Sequence, residues 1–311
     1  MHGPTIGCVI DIPDALIATQ SKYNGEAGRA FLAGLPGLVD RFLGEWGLRR
    51  DGAEMYGMCA LVLPVVRESD GRRAALKLQA QDEETVGEPV ALRVWGEAGA
   101  GAVELLGHDP GTGTMLLERL DERRPLSAVA DERAAVEVLA GLLARLTSVP
   151  APDGLRRLGD VTERMLAEAG RAAAGLADTG ERRMLMDCAA AVREVAGEPG
   201  DRLLHWDLHY DNVLAGRADE GRAHEWVALD PKPLAGDPGF DLMPALFNRF
   251  DTSGVRWRFD LMTEMLGLDR ERARAWTLGR VLQNGVWTVT DGAHRLPPEQ
   301  AEIARQLLER E

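Results

Sequence analysis

Lysine is nearly missing from this chain: of 36 basic residues, only Lys22, Lys77 and Lys232 are lysines. Arginine is the default positive charge, so a lysine inside an apolar strand is expected to be there for its compact ammonium. Cysteine is scarce as well. Cys8, Cys59 and Cys188 form no CxxC pair and no disulfide framework, which suits a reducing compartment and reads as small buried hydrophobes. Long apolar runs are absent, since no window reaches the roughly 18 uncharged apolar residues of a membrane helix. The opening MHGPTIGCVIDIPDA holds two acids and no basic n-region, so no secretory signal is expected, and the chain is expected in the cytoplasm. Positive charge is in deficit overall. A net charge of −14 excludes nucleic acid and anionic membrane as the main partner, and it suits a small cationic ligand.

What is present is enough for a full core. At 311 residues, 45% of them apolar, two lobes are expected rather than one. Residues 25–46 carry helical spacing with a Pro-Gly interruption, predicting one or two short helices. CALVLPVVR (59–67) and RAALKLQ (73–79), separated by Glu68-Ser-Asp-Gly71, read as a β-hairpin. A helix is expected over 82–98, then strands at 102–107 and 114–118. From 131–147 onward the pattern turns helical, with a PAPDG linker at 150–154 and two helices over 159–197. Short strands return at 202–205, 212–215 and 225–229, and 256–311 is helical with a break at Pro297-Pro298. The expected architecture is α+β, a two-lobed fold. Its N-terminal lobe (1–117) is a small antiparallel sheet, its hinge is 118–124, and its C-terminal lobe (125–311) is mostly helical.

The densest polar stretch is Leu203-Leu-His-Trp-Asp-Leu-His-Tyr-Asp-Asn-Val-Leu214, with polar groups between two apolar strand segments. Its skeleton, His-x-Asp-Leu-x-x-x-Asn, has the spacing of a kinase catalytic loop. Asp207 would reach an acceptor hydroxyl, while Asn212 turns back to hold Mg²⁺. Eighteen residues after Asn212, the strand Trp226-Val-Ala-Leu ends in Asp230. If the two strands pair as a hairpin, Asn212 and Asp230 share the metal. A rival zinc site on His205 and His209 would need a helix to bring i and i+4 together, and this segment reads as strand-loop-strand.

Lys77, mid-strand in Ala-Ala-Leu-Lys-Leu-Gln, is the candidate for the α- and β-phosphates of ATP. Glu83, Glu84 and Glu88 all qualify as its partner, with Glu88 preferred because it enters the apolar stretch PVALRVW. The loop Gly52–Cys59 is a weak candidate for covering the phosphates with backbone N–H groups. Leu117-Glu118-Arg119-Leu120 follows a strand between the lobes, where its backbone groups, those of Glu118 and Leu120, would meet adenine.

These residues also match a family. The chain resembles the aminoglycoside phosphotransferases, within them the streptomycin 6-phosphotransferases of the streptomycin/hydroxyurea kinase group. The resemblance rests on AALKLQ (74–79), GAVELLGHD (101–109), TMLLERL (114–120), LLHWDLHYDNVL (203–214), ALDPKPLAGDPGFDLMPAL (228–246) and WTLGRVLQN (276–284). It implies a protein-kinase-like fold that uses ATP and Mg²⁺ to phosphorylate a small cationic aminocyclitol antibiotic, in a monomer or weak dimer. Asp207 is then similar to the catalytic aspartate, Asn212 and Asp230 to the magnesium ligands, and Lys77 to the phosphate-binding lysine. Asp241 resembles the aspartate that braces the catalytic loop, and His205 a residue that positions it. Trp206 stands where the wider family has glycine in a His-Gly-Asp loop, which would narrow the acceptor pocket. Lys232 lies just past a metal ligand, within reach of phosphate or of solvent. By location, Asp211, Asp237, Asn248, Asp251, Gln283 and Asn284 are candidates for holding a polycationic acceptor. Alternatives are a kinase for hydroxyurea, a peptide antibiotic or a metabolic alcohol, and a non-catalytic nucleotide-binding protein of the same fold.

Overall fold

The computed structural model describes residues 10–57, 59–217 and 224–309; Met58 of the Gly52–Cys59 loop and most of the N-terminal stretch weighed as a secretory signal lie outside them. The described chain divides into two compact units. One takes the residues up to Arg93 together with Val103–Leu120; the other takes Val94–Ala102 and the residues from Asp121 on.

The first unit opens with helix α1, Asp14–Glu45, in which Leu35, Val39 and Phe42 recur at helical spacing and are fully buried. Strands β1 (Leu48–Arg50), β2 (Met55–Tyr56), β3 (Ala60–Arg67) and β4 (Arg73–Gln79) follow, then α2 (Glu88–Glu97), β5 (Leu105–Asp109) and β6 (Thr114–Glu118). They build an antiparallel sheet in the order β1-β3-β4-β6-β5, with β2 added to β3. The β3–β4 turn closes where Gly71 N–H meets Arg67 C=O at 2.8 Å. Central β4 is buried along nearly its whole length. Leu61, Leu63, Leu76 and Leu78 pack with Leu16, Leu35 and Phe42 into one core, each such side chain contributing about 2 kcal/mol relative to exposure.

The second unit takes the last residues of α2, where Trp95 donates its indole N–H to Leu146 C=O at 3.0 Å. Its elements are β7 (Asp121–Pro125), α3 (Glu132–Thr147), α4 (Leu158–Gly175), α5 (Thr179–Val195), β8 (Arg202–Leu204), β9 (Val213–Ala215), β10 (Trp226–Ala228) and β11 (Leu234–Gly236). Helices α6 (Met243–Phe247), α7 (Val255–Leu266), α8 (Arg270–Thr290) and α9 (Pro298–Leu308) complete it. Asp131, Asp178 and Asp269 cap α3, α5 and α8 by accepting first-turn N–H groups. Buried α8 packs on α4, α5 and a 3-10 turn at Pro238–Asp241. Two small antiparallel ribbons, β10-β9-β7 and β11-β8, carry the polar motif. The fold is α+β and kinase-like: a small antiparallel-sheet unit and a mostly helical one.

Several element boundaries differ from expectation. Helix α1 breaks at Gly25, whose φ of +52° is a glycine conformation; the helix expected from 25 follows that bend and continues through Pro36, and a further helical segment from Asp14 precedes it. Helix α2 begins at Glu88, not 82, because Asp82 Oδ1 accepts the N–H groups of Glu84 (2.9 Å) and Thr85 (2.8 Å), a local turn that competes with helix. The strand expected at 102–107 runs from Leu105 to Asp109, while Ala102 bridges Ala228 in the second unit. The stretch expected as hinge holds an unforeseen strand, β7, an edge strand whose charges hide the alternation of a buried one. Strand β11 was also unforeseen. Its Gly236 lies so near Leu158 that a Cβ would sit 2.7 Å from that side chain, so the position is too crowded for the β-branched residues that mark strands.

Candidate active site

In the first unit, alternation along β4 sends Lys77 and Gln79 to the same face. Lys77 Nζ donates to both oxygens of Glu88, at 2.7 and 2.8 Å, and Gln79 Nε2 donates to Glu88 Oε2 at 2.7 Å. Glu88 is fully buried and Lys77 only 4% exposed, so the ammonium is held in place with little water around it. Of the three glutamates left open by the sequence, Glu88 makes this contact; Glu84 sits in the turn capped by Asp82. Glu118, at the end of β6, is bound to Glu104 twice: its N–H meets Glu104 C=O at 3.0 Å, and its Oε1 accepts Glu104 N–H at 2.7 Å. Leu120 is buried just beyond it.

In the second unit the polar motif begins where β8 ends. The N–H groups of His205 and Trp206 each donate to one oxygen of Asp241, both at 2.7 Å, and Asp241 is fully buried. Burial pushes the Asp241 carboxyl up to about 7, against the pull of these two bonds and of Arg280. His205 is buried too, and desolvation lowers its pKa to about 4. The neutral imidazole places Nε2 3.1 Å from Leu229 C=O and stacks on Trp95 at 6.1 Å between centroids. Its Nε2 therefore carries the proton it donates to Leu229, and the ring ties the loop to the end of β10.

Strands β9 and β10 pair with Val213 opposite Ala228, and Leu229 N–H meets Asn212 C=O at 3.0 Å. This pairing places Leu229 opposite Asn212, with Asp230 the next residue along the chain. Asn212 Nδ2 donates to Asp207 C=O at 2.9 Å, which turns the amide oxygen the other way. Asp230 takes a left-handed backbone, φ +59°, which aspartate tolerates better than most residues. One carboxylate plus one amide oxygen is a donor set that fits Mg²⁺, an ion that takes few protein ligands and completes its shell with phosphate and water. Among the described residues no group of three or more His, Cys, Asp or Glu side chains is arranged to hold a metal.

The model of the aminoglycoside/hydroxyurea antibiotic resistance kinases matches residues 45–292. The chain belongs to this family. A hydroxyurea phosphotransferase of Kitasatospora aureofaciens is 60% identical over 98% of this chain and 88% of its own. A streptomycin 6-kinase of Streptomyces glaucescens is 53% identical over 96% of this chain and 97% of its own. The crystal structure of aminoglycoside phosphotransferase APH(4)-Ia superposes with a TM-score of 0.62 at 15% identity, covering 87% of this chain and 97% of that one, a likeness of fold.

Three features of this antibiotic resistance kinase family member escape a reading of its sequence. Gln79, the second donor to Glu88, is one. Lys232 is another: its Nζ lies 2.8 Å from Asp207 Oδ2, on the candidate base. The third is the backbone of Trp206, left-handed at φ +66°. That conformation costs a bulky residue about 1–2 kcal/mol, and it explains why glycine suits the position in related loops. The ring offsets the strain. It is 2% exposed, stacks on Trp287 at 6.2 Å, meets Phe240 edge-on at 5.9 Å, and lies under the guanidinium groups of Arg156 (4.3 Å) and Arg280 (4.8 Å). Trp206→Ala is expected to lower stability by about 3–5 kcal/mol in urea unfolding. Trp206→Gly should be the milder variant by about 1 kcal/mol, reversing the usual cost of glycine. A glycine variant less stable than the alanine one would mean that the backbone carries no strain.

The candidate acceptor residues scatter. Asp211 accepts from Asn248 Nδ2 at 2.9 Å, so these two meet. Gln283 and Asn284 follow Arg280 on α8 by three and four residues, on the side of the helix that faces Trp206. Asp251 is exposed and bonds Ser253. Asp237 is buried with both oxygens engaged, Oδ1 by Gly239 N–H at 2.8 Å and Oδ2 by Arg272 at 2.7 Å, in the manner of a cap.

Proposed function

We propose that the protein transfers the γ-phosphoryl group of ATP to a hydroxyl of streptomycin or a close aminocyclitol, inactivating the antibiotic. The observation that carries this reading is the Asp207 carboxylate, on a loop pinned by Asp241 and His205, with Asn212 and Asp230 flanking the paired strands of the same ribbon. In this reading Asp207 orients the acceptor hydroxyl and receives its proton. Asn212 and Asp230 hold Mg²⁺, which supplies charge neutralisation at the β- and γ-phosphates when bound. Lys77, fixed by a Glu88 carboxylate that Gln79 also engages, meets the α- and β-phosphates, and the backbone of Glu118 and Leu120 meets adenine. The transition state is largely dissociative, so most of the rate comes from positioning and electrostatics rather than covalent chemistry.

Relatives named streptomycin 6-kinase at 53% and 51% identity support this acceptor. The relative named hydroxyurea phosphotransferase, at 60%, favours a second reading in which hydroxyurea offers the hydroxyl. Incubating the protein with ATP, Mg²⁺ and either compound, beside peptide antibiotics and simple alcohols, and weighing the products separates the two. A mass gain of one phosphoryl group on streptomycin is expected. Phosphorylation of hydroxyurea alone would replace the first reading by the second, and transfer to no acceptor would overturn both.

A further inference from the structure

Lys232 sits in a turn built to deliver it. The left-handed backbone at Asp230 and the fixed φ of Pro231 reverse the chain past β10, and Lys232 N–H then donates to His205 C=O at 3.0 Å. The turn is thus fastened to the loop two residues before Asp207. From there Nζ reaches Asp207 Oδ2 at 2.8 Å, with the two side chains 32% and 23% exposed. No hydrogen bond to Asp207 Oδ1 is made among the described residues.

The residue type matters in this chain, where arginine fills nearly every other basic position. An arginine facing a carboxylate offers a planar fork that engages both oxygens at once. A lysine is a point charge with no fixed fork, free to straddle a carboxylate as Lys77 does on Glu88 or to engage one oxygen as Lys232 does on Asp207. We propose that Lys232 is a positioning residue for phosphoryl transfer. It anchors Asp207 by Oδ2 and presents Oδ1 to the acceptor hydroxyl. This rests on the reading of Asp207 as the base. In the step it serves, the acceptor O–H proton passes to Oδ1 while the acceptor oxygen bonds the γ-phosphorus. The bond from that phosphorus to the β–γ bridging oxygen breaks, and ADP leaves with its electron pair. Lys232 keeps its own proton throughout.

Lys232→Met and Lys232→Arg test the idea in the full-length protein, with the acceptor that the wild-type protein phosphorylates. Lys232→Met frees the Asp207 side chain to rotate, so kcat is expected to fall about 10²-fold, the scale of a misplaced reacting group. KM for ATP should stay within about twofold, because the lysine acts through Asp207 and not through the nucleotide. Lys232→Arg is the decisive variant. Its fork is expected to occupy both oxygens, leaving kcat as low as in the methionine variant and raising KM for the acceptor. In an Asp207→Asn background neither substitution should lower the residual rate further. An arginine variant near wild-type kcat would reduce the contact to an ordinary ion pair and overturn the inference, as would a methionine variant at full rate. Asp207→Asn at wild-type kcat would instead overturn the underlying reading of the base.

Discussion

Asp207→Asn is expected to cut kcat by about 10³-fold or more while leaving the fold and ATP affinity nearly unchanged. The substitution keeps the shape of the side chain and removes its charge, so in the proposed mechanism the acceptor hydroxyl loses the group that orients it and takes its proton; general-base catalysis alone is worth about 10²–10⁴-fold. The surroundings predict little structural cost. The loop is held through the backbone, by Asp241 on the N–H groups of His205 and Trp206 and by Asn212 on the Asp207 carbonyl. The one ion pair lost, to Lys232, is partly exposed, and such pairs are worth about 1 kcal/mol or less. Steady-state turnover, KM for ATP and a melting curve on the same preparation check all three parts. An asparagine variant that turns over at the wild-type rate would mean that Asp207 is not the base. One that melts many degrees lower would mean that the carboxylate is a structural brace.

How much of this was legible in the sequence depends on the range of the contact. The hairpin that carries the candidate site was legible because the spacing from His205 to Asn212 and on to Trp226–Ala228 is local, and β9 and β10 pair as that spacing predicts. Lys77 stood out because a lone lysine among apolar neighbours is chemically costly. Its choice among Glu83, Glu84 and Glu88 depended on where α2 begins, which the Asp82 turn decides. The Gln79 contact escaped that reading, although strand alternation sets it on the same face as Lys77. The box around Trp206 was not legible: Arg156, Phe240 and the α8 pair Arg280 and Trp287 come from three separate parts of the chain, and nothing local to Trp206 marks them as its neighbours. Backbone strain is hidden for the same reason. A tryptophan in place of glycine announces a change, but the φ of +66° belongs to the folded loop. The acceptor candidates fared least well, because a carboxylate such as Asp237 serves equally as a cap, and only its partners tell which it is.

Glu88→Ala should destabilise the first unit by about 3–5 kcal/mol, the scale seen when one partner of a buried ion pair is removed. Glu88 accepts three hydrogen bonds with no exposure of its own, so its loss removes all three from the Lys77 ammonium and the Gln79 amide at once. Neither can turn to water without leaving β4, whose flanking residues are apolar and buried. Glu88→Gln should fall between, keeping the size and one acceptor but opposing its own amide N–H groups to two donors. The double variant Lys77→Met with Glu88→Leu separates stability from function. With both charges gone the desolvation penalty goes too, so most of the loss should be recovered, less about 1–3 kcal/mol for the orphaned Gln79 amide. Phosphoryl transfer should remain abolished in all the variants that lack the ammonium or its anchor. Urea unfolding followed by hydrogen exchange at β4 amides reads the first unit's own stability. A Glu88→Ala protein within about 1 kcal/mol of wild type would mean that the pair is solvated and weak. If instead the apolar double variant is stable and inactive, the fold has no need of this charge pair. Lys77 and Glu88 are then kept for the phosphate contact proposed for the ammonium.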